Sequence, residues 1–241
     1  MNASPDLDLS VVIPAYNEEK RLGMTLEKIG RFFERRPERW EAIVSDDGSS
    51  DGTVRVAEET ARTVPHIRVL RPGAHAGKGA AVKAGALAAR GRWVLVTDAD
   101  LAAPIEEYDR LKGVIETGAD GVVGSRILKD PDRPVRRIWI REWSSRFYNR
   151  LARRLLLPGG VLDIHCGFKL FKREVLQDLV RDQMLPGFGF DLEILYLARR
   201  RGYRIRETPI AWTAQPGSKV NPFREPFVLV GDIFRVKKIH G

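Results

Sequence analysis

Apolar residues along this chain come in short runs divided by polar turns and amphipathic stretches, in an order that repeats over the first half. Leu9-Ser10-Val11-Val12-Ile13-Pro14 reads as a strand closed by proline, and Tyr16-Asn17-Glu18-Glu19 opens a helical pattern running to about Arg36. Glu41-Ala42-Ile43-Val44-Ser45 predicts a second strand. Asp46-Asp47-Gly48-Ser49-Ser50-Asp51-Gly52-Thr53 then makes a turn and a helix cap, with the helix extending to about Thr63. Ile67 to Leu70 is a third strand, and Gly77-Lys78-Gly79 leads into an alanine-rich helix from Ala80 to Ala89. Val94-Leu95-Val96-Thr97-Asp98-Ala99-Asp100 is a fourth, its apolar β-branched run suited to buried parallel pairing. After Pro104 a helix runs to about Thr117, and Asp120-Gly121-Val122-Val123-Gly124-Ser125-Arg126 reads as a fifth strand with a polar tip.

The second half is less regular. Val135 to Leu157 predicts an arginine-rich amphipathic helix with Trp139, Trp143, Phe147 and Leu151 at helical spacing and Arg137, Arg141, Arg146, Arg150, Arg153 and Arg154 interleaved. Gly167 to Phe171 reads as a strand, Phe190 to Arg200 as a helix and Tyr203 to Trp212 as a strand. A last amphipathic helix from Pro226 to Ile239 ends in Arg235-Val236-Lys237-Lys238. Both amphipathic helices suit either packing against the core or lying on a membrane surface. There is no internal repeat, and Asp130-Pro131-Asp132-Arg133-Pro134 reads as a loop.

Strand and helix alternating in this way predict an α/β fold with a mostly parallel sheet flanked by helices, and ligands at the carboxyl ends of the strands. Tyr16 to Glu18, Asp46-Asp47, Lys78, Asp98 with Asp100, and Arg126 would all converge there. Two carboxylates at i, i+2 on a strand tip repel unless a cation lies between them. Hard ions such as Mg²⁺ or Mn²⁺ take oxygen ligands while leaving positions for phosphate oxygens. Asp98 and Asp100 are therefore candidate metal ligands of a diphosphate site. The alternative, from the residues alone, is that Asp98 caps the following turn and Asp100 is solvated.

Charge narrows the partners. The 241 residues suit one large domain, and 41 Lys and Arg against 32 Asp and Glu give a net charge of +9, which favours nucleic acid, acidic lipid or phosphorylated substrates. Nucleic acid is set aside because the arginines lack a groove-reading or stacking motif. The single Cys166 excludes an internal disulfide and a cysteine-rich metal site; a buried thiol in a reducing compartment is expected. No window approaches the roughly 18 to 20 apolar residues of a membrane span, and Met1 to Asp8 has no apolar signal core, so a soluble or peripheral protein is expected. Nothing in the sequence fixes an oligomeric state.

Several chemistries are excluded. Pro14-Ala15-Tyr16-Asn17-Glu18 stands where a dinucleotide fold needs its glycine fingerprint, and Gly73 to Gly77 is one residue short of a P-loop, with Gly79 after Lys78. No Gly-x-Ser-x-Gly elbow occurs, and the four histidines form no zinc pattern.

Val12 to Glu18, Val44 to Ser49, Gly77-Lys78-Gly79, Asp98-Ala99-Asp100 and Gly124-Ser125-Arg126, in this order and spacing, resemble the family 2 glycosyltransferases of GT-A fold. Asp163 to Phe171, Phe190-Asp191-Leu192-Glu193, and Trp212 followed by Gly217-Ser218-Lys219 most resemble the dolichyl-phosphate β-glucosyltransferase branch, with the mannose synthases nearby. The resemblance covers roughly Leu9 to Lys238. It implies a single Rossmann-like GT-A domain over 1–241, with a nucleotide-binding half at about 9–126 and an acceptor-binding half at about 127–241.

It also implies roles. Pro14, Tyr16 and Glu18 would flank the nucleotide, with Ser45 and Asp47 at its base or ribose; Lys78, Asp98, Ala99 and Asp100 would face the sugar nucleotide, Asp98 and Asp100 holding Mg²⁺ or Mn²⁺. Arg126 and Arg141 would receive a lipid phosphate, and Lys219 would meet the donor phosphates. Ala102 replaces a polar residue, and Thr213 a basic one, of some mannose synthases. The implied reaction is inverting transfer of glucose from UDP-glucose to a polyprenyl (dolichyl) phosphate. GDP-mannose as donor, or a hydroxyl acceptor served by Asp191 as base, are the alternatives. The implied location is cytoplasmic, peripheral at the cytoplasmic membrane face. Eukaryotic relatives carry an N-terminal anchor that this chain lacks, which suggests a prokaryotic or trimmed form.

An acceptor phosphate fits the chemistry independently. A phosphate monoester with second pKa of about 6 is largely dianionic near neutral pH and needs cationic positioning rather than a strong base. Guanidinium groups match its geometry.

Overall fold

Alternation along the central strands determines how this chain layers. In the computed structural model, which describes residues 7–71, 73–136, 142–157, 159–215 and 225–241, β1 (Leu7–Ala15) lies between β2 (Trp40–Asp46) and β4 (Gly91–Val96). Leu9, Val11 and Ile13 of β1, Ala42 and Val44 of β2, and Trp93 and Leu95 of β4 point to one face. Val12, Ile43, Val94 and Val96 point to the other. A strand buried on both faces needs apolar residues at every position, which is why these segments read as continuous runs. On the first face lie α1 (Leu22–Glu34) and α4 (Tyr108–Glu116), through Leu22, Leu26, Ile29, Phe33, Tyr108 and Leu111. On the second lie α3 (Lys78–Ala88), α6 (Arg173–Arg181) and α7 (Phe190–Arg200).

The full sheet runs β3 (Ile67–Leu70), β2, β1, β4, β7 (Lys169–Lys172), β5 (Gly121–Ser125), β8 (Ile205–Pro209). All neighbours are parallel except β7, antiparallel to both β4 and β5. From β1 the chain moves outward through β2, capped by α2 (Thr53–Thr63), to β3, then returns to place β4 on the other side of β1. That reversal opens a crevice at the carboxyl ends of β1 and β4, where ligands bind in sheets of this kind.

The structure differs from the sequence expectation at several junctions. Helix α1 begins at Leu22 rather than near Tyr16, because Asn17 takes a left-handed backbone (φ 53°) and its side-chain oxygen accepts the Ser50 amide at 2.8 Å, lacing the β1 and β2 tips together. The expected long helix from Val135 starts as β6 (Val135–Arg136), which pairs with β9 (Trp212–Thr213); α5 covers Glu142–Leu155. Helix α6 was not predicted, although Val175, Leu176, Leu179 and Val180 carry its apolar stripe. Pro209 ends β8 and divides the expected strand at Tyr203 to Trp212 into two. The last helix, α8, spans Glu225–His240.

Gly85 sets the seating of α3: a Cβ there would lie 2.4 Å from Val12 Cγ1. Alanine raises helix propensity by about 1 kcal/mol, but the overlap falls on a stiff β-branched side chain of β1, a strand buried on both faces. Gly85→Ala is expected to cost about 1–3 kcal/mol, read as a lower urea midpoint with unchanged slope.

Candidate active site

Beyond β4, Thr97 still donates its amide to Val12 at 3.0 Å, and the chain then turns sharply. Leu101 adopts φ 44°, a conformation costing a non-glycine residue roughly 1–2 kcal/mol, and its amide reaches Asp98 O at 3.2 Å. Thr25 Oγ1 of α1 donates to Ala99 O at 2.8 Å, and Ala102 N donates to Asp100 Oδ1 at 3.0 Å. This strained turn sets the two carboxylates side by side.

Lys78, the first residue of α3, donates to Asp98 Oδ1 at 2.5 Å. Burial alone would lower the ammonium's pKa, but the charges of Asp98 and Asp191 outweigh it and raise it. The Asp100 carboxyl is raised, first by burial and then by the charge of Asp98. Arg21 Nη1 stands 3.8 Å from Asp100 Oδ2 and also pairs with Glu18, so Glu18 reaches the site through an arginine that the sequence reading missed. Gly167 packs beneath Asp98: a Cβ there would lie 2.0 Å from its Oδ2.

Among the described residues no group of three or more His, Cys, Asp or Glu side chains converges as a metal cage. The Asp98–Asp100 pair still fits a hard divalent cation. It offers carboxylate oxygens only, and Asp100 is raised first by burial and then by the Asp98 charge, both of which a bound cation would offset. Mg²⁺ in particular is held by one or two carboxylates plus substrate phosphates.

Toward β2 the crevice is lined by Tyr16, whose ring stacks on His75 at 4.1 Å between centroids. The Asp47 carboxylate is committed to the turn before α3: Oδ1 accepts the Ala76 and Gly77 amides at 2.9 and 3.0 Å, and Oδ2 faces His75 Nδ1 at 2.8 Å. Pro14 is buried at the end of β1 opposite Ser45. Ser45 is 0% exposed and its hydroxyl has no hydrogen-bond partner. The structure therefore brings Tyr16, Glu18, Lys78, Asp98 and Asp100 to the carboxyl ends of the strands, while Ser45 stays inside the sheet and Ala99, contrary to expectation, is buried in the core with its carbonyl held by Thr25.

On the opposite side Asp163 grips Arg126 through Nε and Nη2, both at 2.7 Å. Glu207 of β8 in turn accepts the Leu162 and Asp163 amides. Burial opposes ionisation of both partners, yet their mutual attraction raises Arg126 and lowers Asp163. The guanidinium lies 5.4 Å from the Trp212 ring centre. Burial, then the Asp163 charge, pushes the Cys166 thiol up to about 12, leaving it an inert core residue. Arg141 and Lys219 lie outside the described residues, as do Trp139, Gly217 and Ser218.

Asp191, at the start of α7, accepts from Lys169 Nζ at 2.5 Å and faces His165 Nδ1 at 3.5 Å. Burial alone would raise this carboxyl; the charge of Lys169 and then the His165 contact bring it down to about 2. A carboxylate held there is a weak proton acceptor and suits fixing Lys169 and His165 in place. Glu193, fully buried, accepts the Met184 and Leu185 amides at 2.8 Å and meets His240 Nε2 at 2.7 Å, tying α8 to the loop beside Lys78. Sequence spacing hides these pairings because the partners are far apart in the chain.

A groove of about 920 Å³ follows the turn after Asp100, lined by Leu101, Ala102, Pro104 and Phe32 together with the basic Lys28, Arg31 and Arg35 and the acidic Glu34 and Glu106. On α8, Ile233 and Val236 pack inward while Phe234, Ile239, Arg235, Lys237 and Lys238 are exposed. Among the described residues no helix is long and apolar enough to cross a membrane.

Two outcomes test this arrangement. Gly167→Ala should displace the Asp98 carboxylate and weaken nucleoside diphosphate binding by about tenfold or more with little change in Tm, measured by calorimetry and thermal melts. Asp191→Asn should cost about 3–5 kcal/mol near neutral pH by leaving Lys169 buried and unpaired. Because the Asp191 carboxyl is lowered on folding, its contribution is present above the unfolded value of about 4 and is lost as pH falls toward about 2. Unfolding free energies across that window should slope less in the variant.

Residues 10–180 match glycosyl transferase family 2. Over 248 aligned residues the chain is 34% identical to a dolichyl-phosphate beta-glucosyltransferase of Dictyostelium discoideum, covering 98% of this chain and 76% of that protein. It is 33% identical over 233 residues to the dolichyl-phosphate beta-glucosyltransferase of Homo sapiens, covering 91% and 72%. The fold is similar to that of glucosyl-3-phosphoglycerate synthase from Mycobacterium tuberculosis, solved with Mn²⁺, uridine diphosphate and glucosyl-3-phosphoglycerate. The TM-score is 0.71 at 22% identity, covering 98% of this chain and 82% of that one. With the sheet reversal, the paired acids at the β4 tip and these matches together, the chain belongs to glycosyl transferase family 2.

Proposed function

We propose that this enzyme transfers glucose from UDP-glucose to a polyprenyl phosphate of the dolichyl type at a membrane surface. The observation that carries the reading is the Asp98–Asp100 pair with Lys78 at the sheet reversal, in a chain whose relatives are named dolichyl-phosphate beta-glucosyltransferase. Residues 9–126 supply the donor side and 127–241 the acceptor side of one domain.

Asp98 and Asp100 would hold Mg²⁺ or Mn²⁺, which when bound neutralises charge on a departing diphosphate. Lys78 adds a fixed positive charge at the same place and is already oriented by Asp98. Tyr16 and Glu18 border the nucleoside side, Glu18 also positioning Arg21 against Asp100. An acceptor phosphate attacking the anomeric carbon needs orientation and charge compensation rather than proton removal. Arg126, aligned by Asp163, provides both, with Arg141 and Lys219 assigned to acceptor and donor phosphates by motif. The low position of Asp191 supports a phosphate acceptor over a hydroxyl, which would require a competent base.

The acceptor's isoprenoid tail stays in the bilayer, so the enzyme must reach the headgroup plane. The outer face of α8, with Phe234 and Ile239 among Arg235, Lys237 and Lys238, suits a peripheral contact with anionic lipid on the cytoplasmic face.

Radiolabelled UDP-glucose and GDP-mannose supplied with polyprenyl phosphate in anionic vesicles test the reading. Organic-phase label is expected from UDP-glucose, and Asp100→Ala should reduce it on the order of 10²-fold. Label from GDP-mannose alone, or transfer only to hydroxyl acceptors, would overturn it.

A further inference from the structure

Both glycines of Gly77-Lys78-Gly79 are required by one loop, residues 183–188 between α6 and α7, which presses on the chain at either side of Lys78. At Gly77, where φ is +122°, a Cβ would lie 2.6 Å from Pro186 O; at Gly79 it would lie 2.7 Å from Phe190 Cβ and 2.8 Å from Leu185 O. The loop also completes the first turn of α3. Ala80 donates its amide to Pro186 O at 3.0 Å, meeting one of the donors that a helix start leaves without an intrahelical partner, and Gln183 Nε2 donates to Gly79 O at 3.0 Å. The Phe188 ring centre lies 5.9 Å from Lys78 Nζ.

Glu193 holds that loop. Its side chain is fully buried, with Oε1 accepting the Met184 amide and Oε2 the Leu185 amide, both at 2.8 Å. Two bonds to successive amides fix the direction of the loop as well as its distance. From the other side His240 of α8 brings Nε2 to 2.7 Å from Oε1, a contact that neutral and protonated imidazole can both make. Among the described residues His240 is the basic side chain that meets Glu193. A continuous series of contacts therefore runs from α8 through Glu193 and the loop to the start of α3, where Lys78 meets Asp98.

We infer that Glu193 is a positioning residue for the donor diphosphate: through the 183–188 loop it holds the backbone on both sides of Lys78, and His240 locks it from α8. A lysine carries its charge on a flexible four-carbon stem, so a fixed ammonium needs a fixed backbone beneath it. A displacement of about 1 Å at a reacting centre can cost on the order of 10²-fold in rate. The same lock sets the seating of α8 and the position of Lys78 together. The inference rests on the proposed nucleoside diphosphate sugar donor and adds a residue that acts on it through others.

Calorimetry of UDP in Mn²⁺ buffer, with wild type, Glu193→Gln, Lys78→Ala and the double variant, tests this. Glu193→Gln sets an amide NH₂ against one of the two loop N–H groups and is expected to weaken UDP about tenfold. In the Lys78→Ala background the same substitution should change UDP affinity by less than about twofold, because no ammonium is left to misplace. A merely structural loss would weaken UDP equally in both backgrounds. His240→Ala should weaken UDP in the same direction, and His240→Gln, whose side-chain amide still donates to Glu193, should recover most of that loss; this pair decides the matter where Glu193→Gln does not fold. UDP affinity unchanged in Glu193→Gln or His240→Ala, equal weakening in both backgrounds, or no recovery in His240→Gln would overturn the inference and leave the donor reading standing. Failure of wild type to bind UDP at all would overturn both.

Discussion

The organisation of this molecule follows from putting several carboxylates within reach of one another at the edge of a sheet. Asp98, Asp100 and Asp191 would repel in a partly desolvated crevice, and each is managed differently. Lys78 meets Asp98 directly, Lys169 and His165 hold Asp191, and Asp100 retains a carboxyl raised by burial and by its neighbour's charge. Much of the surrounding structure serves those pairings: Gly167 makes room for Asp98, Pro186 O accepts the Ala80 amide at the first turn of α3, and Glu193 fixes the loop that carries Pro186. The result is an anionic locus with one position unevenly compensated, which is the chemistry a divalent cation and a diphosphate complement.

One ion pair and the carboxylate behind it organise the side of the crevice opposite β2. Arg126 is bound bidentately by Asp163, so its charge is oriented rather than loose, and Glu207 anchors the loop that bears Asp163. Desolvated pairs of this kind contribute less to stability than to geometry. Here the geometry is a guanidinium plane set beside Trp212.

Much of the fold was legible in the sequence because the central strands are buried on both faces and the turns after them are polar. The five predicted strands of the first half and the helices between them appear in order, and Lys78 meets Asp98 at the carboxyl ends of the strands. The antiparallel β7 was not legible, since a four-residue apolar strand carries no sign of its direction. Nor was β6 at Val135–Arg136, whose pairing depends on Trp212–Thr213 far along the chain. At the site the sequence named residues but not their partners. Asp47 is turned inward to the loop at His75, Ser45 is enclosed between strands, and Asp191 is tied to Lys169 and His165, all through contacts distant in sequence.

In the proposed mechanism the acidic pair at the β4 tip and a divalent cation together hold the donor diphosphate, and the other roles depend on that. Titrating UDP-glucose into the protein by calorimetry, with and without Mg²⁺ or Mn²⁺, tests it most directly. Affinity at least about tenfold higher with metal is predicted, an effect abolished in Asp100→Ala. Affinity indifferent to metal and to that substitution would contradict it.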